Sequence, residues 1–403
     1  MNPSVFITKI ELSNYKSIKG CNVNLGALTF LVGQNGAGKS NFLDALRLVS
    51  DSLNSSLEHA LRERGGINEV RRRSSGHPTH FTIKLHWQLP NNMNGIYGFK
   101  VGAQPKGGFE IQSELCEVCG PDQVQPWFYK VEGGKVSGSS LSVTPPVSTD
   151  RLYLVAAAGF PEFRPLYDAL THMGFYNLNP DVIREPQPPD PGDVLKRDGS
   201  NIASVLGSLE SDGNKKRIVE LLSRVVPGIT DITSKLLGKK ETLEFRQRVG
   251  TNGDPWRFMS ENMSDGTLRA LGVLTALFQS TVSRKHAIPL VGIEEPETAV
   301  HPGAAGILRD GIRLASQTTQ VIVTSHSPDL LDDKEITADN ILSVINTNGD
   351  TVIAGLDLAG KDALQSRLYT AGELLRDNQL APDDAEVQRI KNIQMELSLN
   401  YKS

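Results

Sequence analysis

The sequence predicts an α/β fold in which one P-loop domain is split by an antiparallel β and helical insertion, and three observations point to it. A glycine-rich octet, Gly33–Ser40, lies between the strand-like TFLV and the helix-like NFLDALRLVSDSL. Strand-like and helix-like segments alternate again from residue 264 onward. Between these stretches, from about 79 to 155, short strand-like pieces are separated by Gly, Pro, Asn and Ser clusters.

Each element has its own reason. SVFITKIE (4–11) and TFLV (29–32) are apolar and β-branched, as strands are. Phe42, Leu43, Leu46 and Val49 recur at helical spacing. FTIKLHWQL, IYGFKVG, FEIQSEL and PWFYKVE read as an antiparallel β region. The proline-rich stretch 180–199 predicts an ordered loop or linker. Helical patterns follow over about 201–225, then a strand pair around TLEFRQRV. From 264 the order is helix, buried strand IPLVGI, helix, strand TQVIVTS, short helix and strand NILSVIN. The expected segments are therefore 1–89, an N-terminal half with the glycine loop; 90–180, a β-rich insertion; 181–258, a helical and linker region; and 259–403, the C-terminal half. Internal repeats and sustained coiled-coil heptads are missing.

Composition narrows the class. The 403 residues carry a formal charge of −4, so a nucleic-acid contact would need a local basic patch. Three cysteines are too few for a disulfide framework and suit a reducing cytosol. No cleavable leader and no apolar run long enough for a bilayer are apparent, which predicts a soluble, cytoplasmic protein with no membrane partner.

The octet carries the clearest chemistry. Gly33-Gln34-Asn35-Gly36-Ala37-Gly38-Lys39-Ser40 fits G-x-x-x-x-G-K-[ST] at every fixed position, between a strand and a helix as the motif requires. Glycines let backbone N–H groups turn toward phosphate oxygens, and the helix N-terminus adds its positive dipole end. Lys39 then reaches the β- and γ-phosphates and Ser40 ligates Mg²⁺. IPLVGIEEPE, a buried strand ending in acid, fits a Walker B element. Glu294 is expected to hold Mg²⁺ and Glu295 to polarise the attacking water. A further apolar strand delivers His326, expected at the γ-phosphate or that water. In open α/β sheets ligands bind beyond the carboxyl ends of strands, where these motifs are expected to meet. Ser264 and Asp265 open the helix of MSDGTLRALG as a cap, and the Ser264 hydroxyl and Gly266 N–H are donors suited to an anion.

The order P-loop, SDG-type signature, EEPE and TSHS resembles the ABC-type ATPases of the SMC/RecF/RecN and OLD group. Within it the chain is most similar to the short, coiled-coil-free predicted ATPases usually labelled "AAA family ATPase", including ATPase subunits of prokaryotic anti-phage systems. IELSNYKSIKG, GKSN, RDGSNIASVL, SDGTLRAL, IEEPETAVHP and AGELLRDNQL carry the likeness, which is weakest over 90–180. It implies an ABC-type P-loop nucleotide-binding domain and ATP hydrolysis with Mg²⁺. It adds Asn41 to the ATP-binding set of Gly33, Asn35, Gly36, Ala37, Gly38, Lys39 and Ser40. It also implies a homodimer or higher oligomer, in which Ser264 and Gly266 face the nucleotide of the other chain, with Glu295 and His326 catalytic. A TOPRIM nuclease domain is not expected in the residues given after His326, which are few and do not show its acidic pattern. The expected role is a switch regulating a separately encoded effector, a nuclease or toxin, in anti-phage defence. The alternative is a RecF-like, ATP-gated DNA-binding protein in repair; a transporter motor fits the motifs less well.

The pattern departs from the family in places. The signature has Asp265 and Thr267 where glycine and glutamine are usual, Glu294 stands for an aspartate, and Gln88 is a weakly supported Q-loop candidate. Other features read as structural. Cys116 and Cys119 with His77 and His80 match no common zinc module. His301 reads equally as loop packing. Arg71–Arg73 and Lys215–Arg217 read as solvated or ion-paired, and Asp332–Asp333 and Asp383–Asp384 lack the context of a nuclease.

Overall fold

The computed structural model describes residues 5–73, 78–105, 107–121, 125–209, 213–250, 254–279 and 287–393. Its strands begin with β1 (Ile7–Tyr15), β2 (Ile18–Asn24), β3 (Leu28–Val32), β4 (His80–Gln88) and β5 (Asn94–Ala103). Next come β6 (Phe109–Cys119), β7 (Trp127–Glu132), β8 (Lys135–Ser139), β9 (Gly174–Tyr176), β10 (Ile229–Leu237) and β11 (Lys240–Gln247). The last are β12 (Trp256–Met259), β13 (Leu290–Glu294), β14 (Gln320–Ser325), β15 (Ile341–Thr347) and β16 (Asp350–Ala354). The chain forms two compact units. Of the described residues, one, the P-loop unit, takes in 5–173, Thr337–Ser366 and 378–393; the other takes in Gly174–Ile336 and Arg367–Asp377.

In the P-loop unit the strands lie in the order β8-β7-β6-β5-β4-β1-β2-β16-β15-β3. The expected antiparallel texture is present, and β4 pairs with β1 from Ile7↔Trp87 to Ser13↔Thr82, so the β-rich stretch continues the sheet begun by the N-terminus. On β4 Phe81, Ile83, Leu85 and Trp87 alternate inward and are buried, the two-residue period of a pleated strand. β3 runs parallel to β15, β15 turns back antiparallel as β16, and β16 meets β2 in parallel at Thr351↔Ile18. The helix Lys39–Asn54 buries Phe42, Leu46, Val49 and Leu53 along one stripe. Within the β region the buried Glu114 accepts from Tyr129 Oη at 2.8 Å, Tyr97 Oη at 3.3 Å and Leu154 N at 2.9 Å, which ties the short helix Leu154–Ala157 to β6.

In the second unit β9, β13 and β14 are parallel neighbours, and β13 is buried along Leu290–Ile293. β10, β11 and β12 form a separate antiparallel sheet. The helix Asp265–Phe278 is buried from Thr267 to its end, consistent with the near-continuous apolar run of its sequence. Among the described residues no helix is long and apolar enough to cross a membrane.

Candidate functional site

The P-loop follows β3 directly. Gln34, Asn35 and Gly36 are exposed, Ala37 and Lys39 are buried, and Ser40 is exposed at the first turn of its helix. Gly36 has φ +78° and Gly38 φ +103°, values that favour glycine. Two glycines also meet a wall. A Cβ on Gly33 would lie 2.0 Å from Val344 O, and one on Gly38 would lie 2.0 Å from Thr351 Oγ1. Both wall residues belong to the β15–β16 hairpin, so the loop is completed by residues distant in sequence. The helix begins at Gly38 without a side-chain cap. Lys39 Nζ donates to Gly33 O at 2.7 Å and Gln34 O at 3.0 Å, bracing the loop from within. Asn41 turns its amide to Ser17 Oγ at 2.7 Å rather than toward the loop.

One turn further on, Asp44 anchors the helix. It accepts from Tyr15 Oη at 2.8 Å and lies 2.6, 2.7 and 3.0 Å from Lys16, Arg47 and Arg64. Burial alone would raise its pKa, but Arg64, Lys16 and Arg47 outweigh burial and hold it at about 2.

In the second unit β13 ends at Glu294, and Glu295 takes φ +43°. Its N–H donates to Thr324 O at 3.0 Å, which fixes this unusual backbone against β14. Arg269, 5% exposed, donates from Nη2 to Glu294 O and Glu295 O, both at 2.9 Å, and from Nη1 to Leu178 O. Burial lowers its pKa, while Glu297, Glu295 and Glu294 oppose that shift. Glu294 accepts from Arg197 at 2.7 Å.

His326 Nδ1 lies 3.4 Å from Glu295 Oε1 and 3.9 Å from Glu297 Oε1. The two residues expected to be catalytic are thus brought together. Glu297, which sequence reasoning did not single out, is nearly buried and accepts from Ser325 Oγ at 2.7 Å and His326 N at 3.3 Å. Its other oxygen, Oε2, has no hydrogen-bond partner among the described residues. It orients the residues that carry His326. Arg269 was also passed over, although a lone arginine inside the apolar run Leu268–Phe278 was a visible signal.

Ser264 caps the helix Asp265–Phe278, accepting from Thr267 N at 3.3 Å. Asp265 pairs with Arg184, so its carboxylate is matched by a cation. Gly266 is close-packed: a Cβ there would meet Ala299 O at 2.6 Å, in the turn that follows the acidic edge. His301 caps the next helix, Pro302–Ala315, by accepting from Gly303 N at 3.1 Å.

The discounted features have structural roles. Cys116 and Cys119 are three apart on β6 and so face opposite sides of the strand. His80 lies on β4, and His77 falls outside the described residues. Arg72 donates to Asp350 at 3.0 Å, and Lys215 lies 3.7 Å from Asp231. Asp333 pairs with Arg309 at 2.9 Å, and Lys361 lies 3.5 Å from Asp383. Gln88 is exposed at the end of β4.

The chain is similar to known proteins in sequence and in fold. Residues 6–114 match the family described as "AAA ATPase domain", and residues 157–332 match "AAA domain, putative AbiEii toxin, Type IV TA system". The chain is 22% identical over 381 residues to the Old nuclease of Escherichia phage P2, covering 87% of this chain and 61% of that protein. It therefore spans less than two thirds of that relative's length. An Smc head bound to the C-winged helix domain of ScpA is 15% identical, with 88% of this chain and 99% of that one covered and a TM-score of 0.56. An Smc head with an extended coiled coil, derived from Pyrococcus furiosus and bound to the C-terminal domain of ScpA, is 13% identical, covers 90% and 99%, and has a TM-score of 0.55. At these identities the likeness is one of fold. In sequence the chain therefore resembles AAA ATPase domains and the Old nuclease, and in fold it resembles Smc heads, as the motifs led one to expect.

Proposed function

We propose that the chain binds and hydrolyses ATP with Mg²⁺, dimerises around the nucleotide, and so regulates a separately encoded effector in anti-phage defence. The observation that carries this reading is the pairing of Asp265 with Arg184. A carboxylate at the signature helix would repel a phosphate; matched by arginine, it leaves the helix N-terminus suited to an anion. Docking that helix against a second chain's γ-phosphate makes dimerisation depend on the phosphate, because only differential binding shifts an equilibrium.

The remaining roles follow from donor chemistry. In the P-loop unit the uncapped helix start and Lys39 favour the phosphates. Ser40 and Glu294 are oxygen donors of the kind Mg²⁺ takes, and the ion supplies charge neutralisation at the phosphates. Glu295 accepts the proton of the attacking water, and His326, held beside it, contacts that water or the γ-phosphate. The match to a family described with a toxin–antitoxin system supports a separate effector. Likeness to Old nuclease supports the second reading, an ATP-dependent DNA-binding protein, whose mark would be ATP-requiring, salt-sensitive DNA binding.

Glu295→Gln tests the switch. ATP turnover is expected to fall by about 10²-fold or more, the scale of a lost general base. With saturating ATP and Mg²⁺ the variant is expected to sediment and scatter light as a dimer. A monomer under those conditions rules out the ATP-gated dimer.

A further inference from the structure

Thr351 is separated from Ala37 by 314 positions in sequence, yet its Oγ1 donates to Ala37 O at 2.8 Å. The same hydroxyl lies 2.7 Å from Ser17 Oγ, and Ser17 Oγ accepts from Asn41 Nδ2 at 2.7 Å. The direction of this chain is forced. An amide nitrogen only donates and a carbonyl oxygen only accepts, so Ser17 gives its proton to Thr351 and Thr351 gives its own to Ala37. Asn41 and Ala37 are both in the GAGKSN stretch, so the relay leaves the P-loop region, crosses the β1–β2 turn and β16, and returns to it. The main chain seconds it: Thr351 N donates to Ser17 O at 2.9 Å. Thr351 is 2% exposed, so water does not substitute for the partners it holds.

The peptide plane turns this bond into a constraint on the site. In a trans peptide the carbonyl of one residue and the N–H of the next point in opposite directions. With Ala37 O held on Thr351, the Gly38 N–H faces away from β16. Thr351 Oγ1 also sits where a Gly38 Cβ would be, at 2.0 Å, so the peptide cannot shift toward the hairpin without collision. We infer that Thr351 is a positioning residue for triphosphate binding, fixing the Ala37–Gly38 peptide of the P-loop through a directed relay from Asn41 and Ser17. This rests on the proposal that the P-loop binds ATP.

The test compares Thr351→Val, which keeps shape and removes the hydroxyl, with Thr351→Ser, which keeps the hydroxyl. Calorimetric titration of the full chain with ATP and Mg²⁺ is read beside the melting temperature without nucleotide. Thr351→Val is expected to weaken ATP binding about tenfold, on the scale of one hydrogen bond in a preorganised site, and to lower nucleotide-free melting by a few degrees because Ala37 O and the Ser17 hydroxyl lose a buried partner. Thr351→Ser is expected to bind like the wild type. Ser17→Ala, which removes the donor to Thr351 and the acceptor of Asn41 but leaves the Thr351–Ala37 bond, is expected to weaken binding about threefold and serves if the valine variant does not fold. Normal binding by the valine variant, or by Ser17→Ala in its place, while Lys39→Ala binds nothing, overturns the relay and leaves ATP binding standing. An equal loss in valine and serine variants assigns the effect to packing and overturns it too. A wild-type chain that fails to bind ATP overturns both.

Discussion

The P-loop and the acidic edge achieve fixed geometry with different materials. At the P-loop the fixed groups are main chain: Gly33 and Gly38 pressed against Val344 and Thr351, with Lys39 bracing the loop carbonyls. At the acidic edge they are side chains, Glu294, Glu295 and His326; one buried arginine holds the backbone that presents the two glutamates, and Glu297 holds that of His326. A backbone cradle can be broken by adding a single atom at a glycine. A side-chain cluster can be broken by removing the group that holds its backbone.

The largest expected effect is at that holding group. Arg269→Ala strands the carbonyls of Leu178, Glu294 and Glu295 and removes the buried cation beside Glu295 and Glu297, and should cost about 4 kcal/mol. Denaturant unfolding would read this loss; a cost under about 1 kcal/mol would mean the edge holds itself. Gly38→Ala comes next, with both a positive φ and the Thr351 wall against it, at about 3 kcal/mol. Gly36→Ala has a similar φ, +78°, but nothing within 4 Å of the added atom, and should cost only about 1 kcal/mol. Equal costs at the two glycines would show that the wall yields.

An effect between those of the two glycines separates the P-loop helix from the acidic edge by pH. Asp44 titrates at about 2 when folded against a reference of 3.8. A depressed folded value adds stability that is complete above about pH 4 and lost as the pH falls toward about 2, on the order of 2 kcal/mol. Acid unfolding should therefore be steeper for the wild type than for Asp44→Asn across that window, and matching slopes would remove Asp44 from the anchor.

Much of this was legible in the sequence. The octet, the acidic strand end and Ser264 as a cap are local patterns whose chemistry follows from residues close together in the chain. Even the awkward Asp265 could be expected to find a cation, though not that Arg184 would be the one. Hidden were the groups set by long-range pairing: Val344 and Thr351 against the P-loop, Arg269 under the acidic edge, and the continuation of β1 into β4. Periodicity reports which face of a strand is buried, not which strand lies beside it. Glu297 is an intermediate case. Its place in EEPE was plain, but its hold on Ser325 and His326 appears only once β13 and β14 are paired.

The hairpin wall also sets an order of events during synthesis. The octet leaves the ribosome about three hundred residues ahead of Val344 and Thr351. Until then the glycines lack the surface that holds their peptides in place, and a nascent or truncated chain carries the motif without its finished cradle. Competence to grip a triphosphate is thereby deferred until the β15–β16 hairpin has been translated.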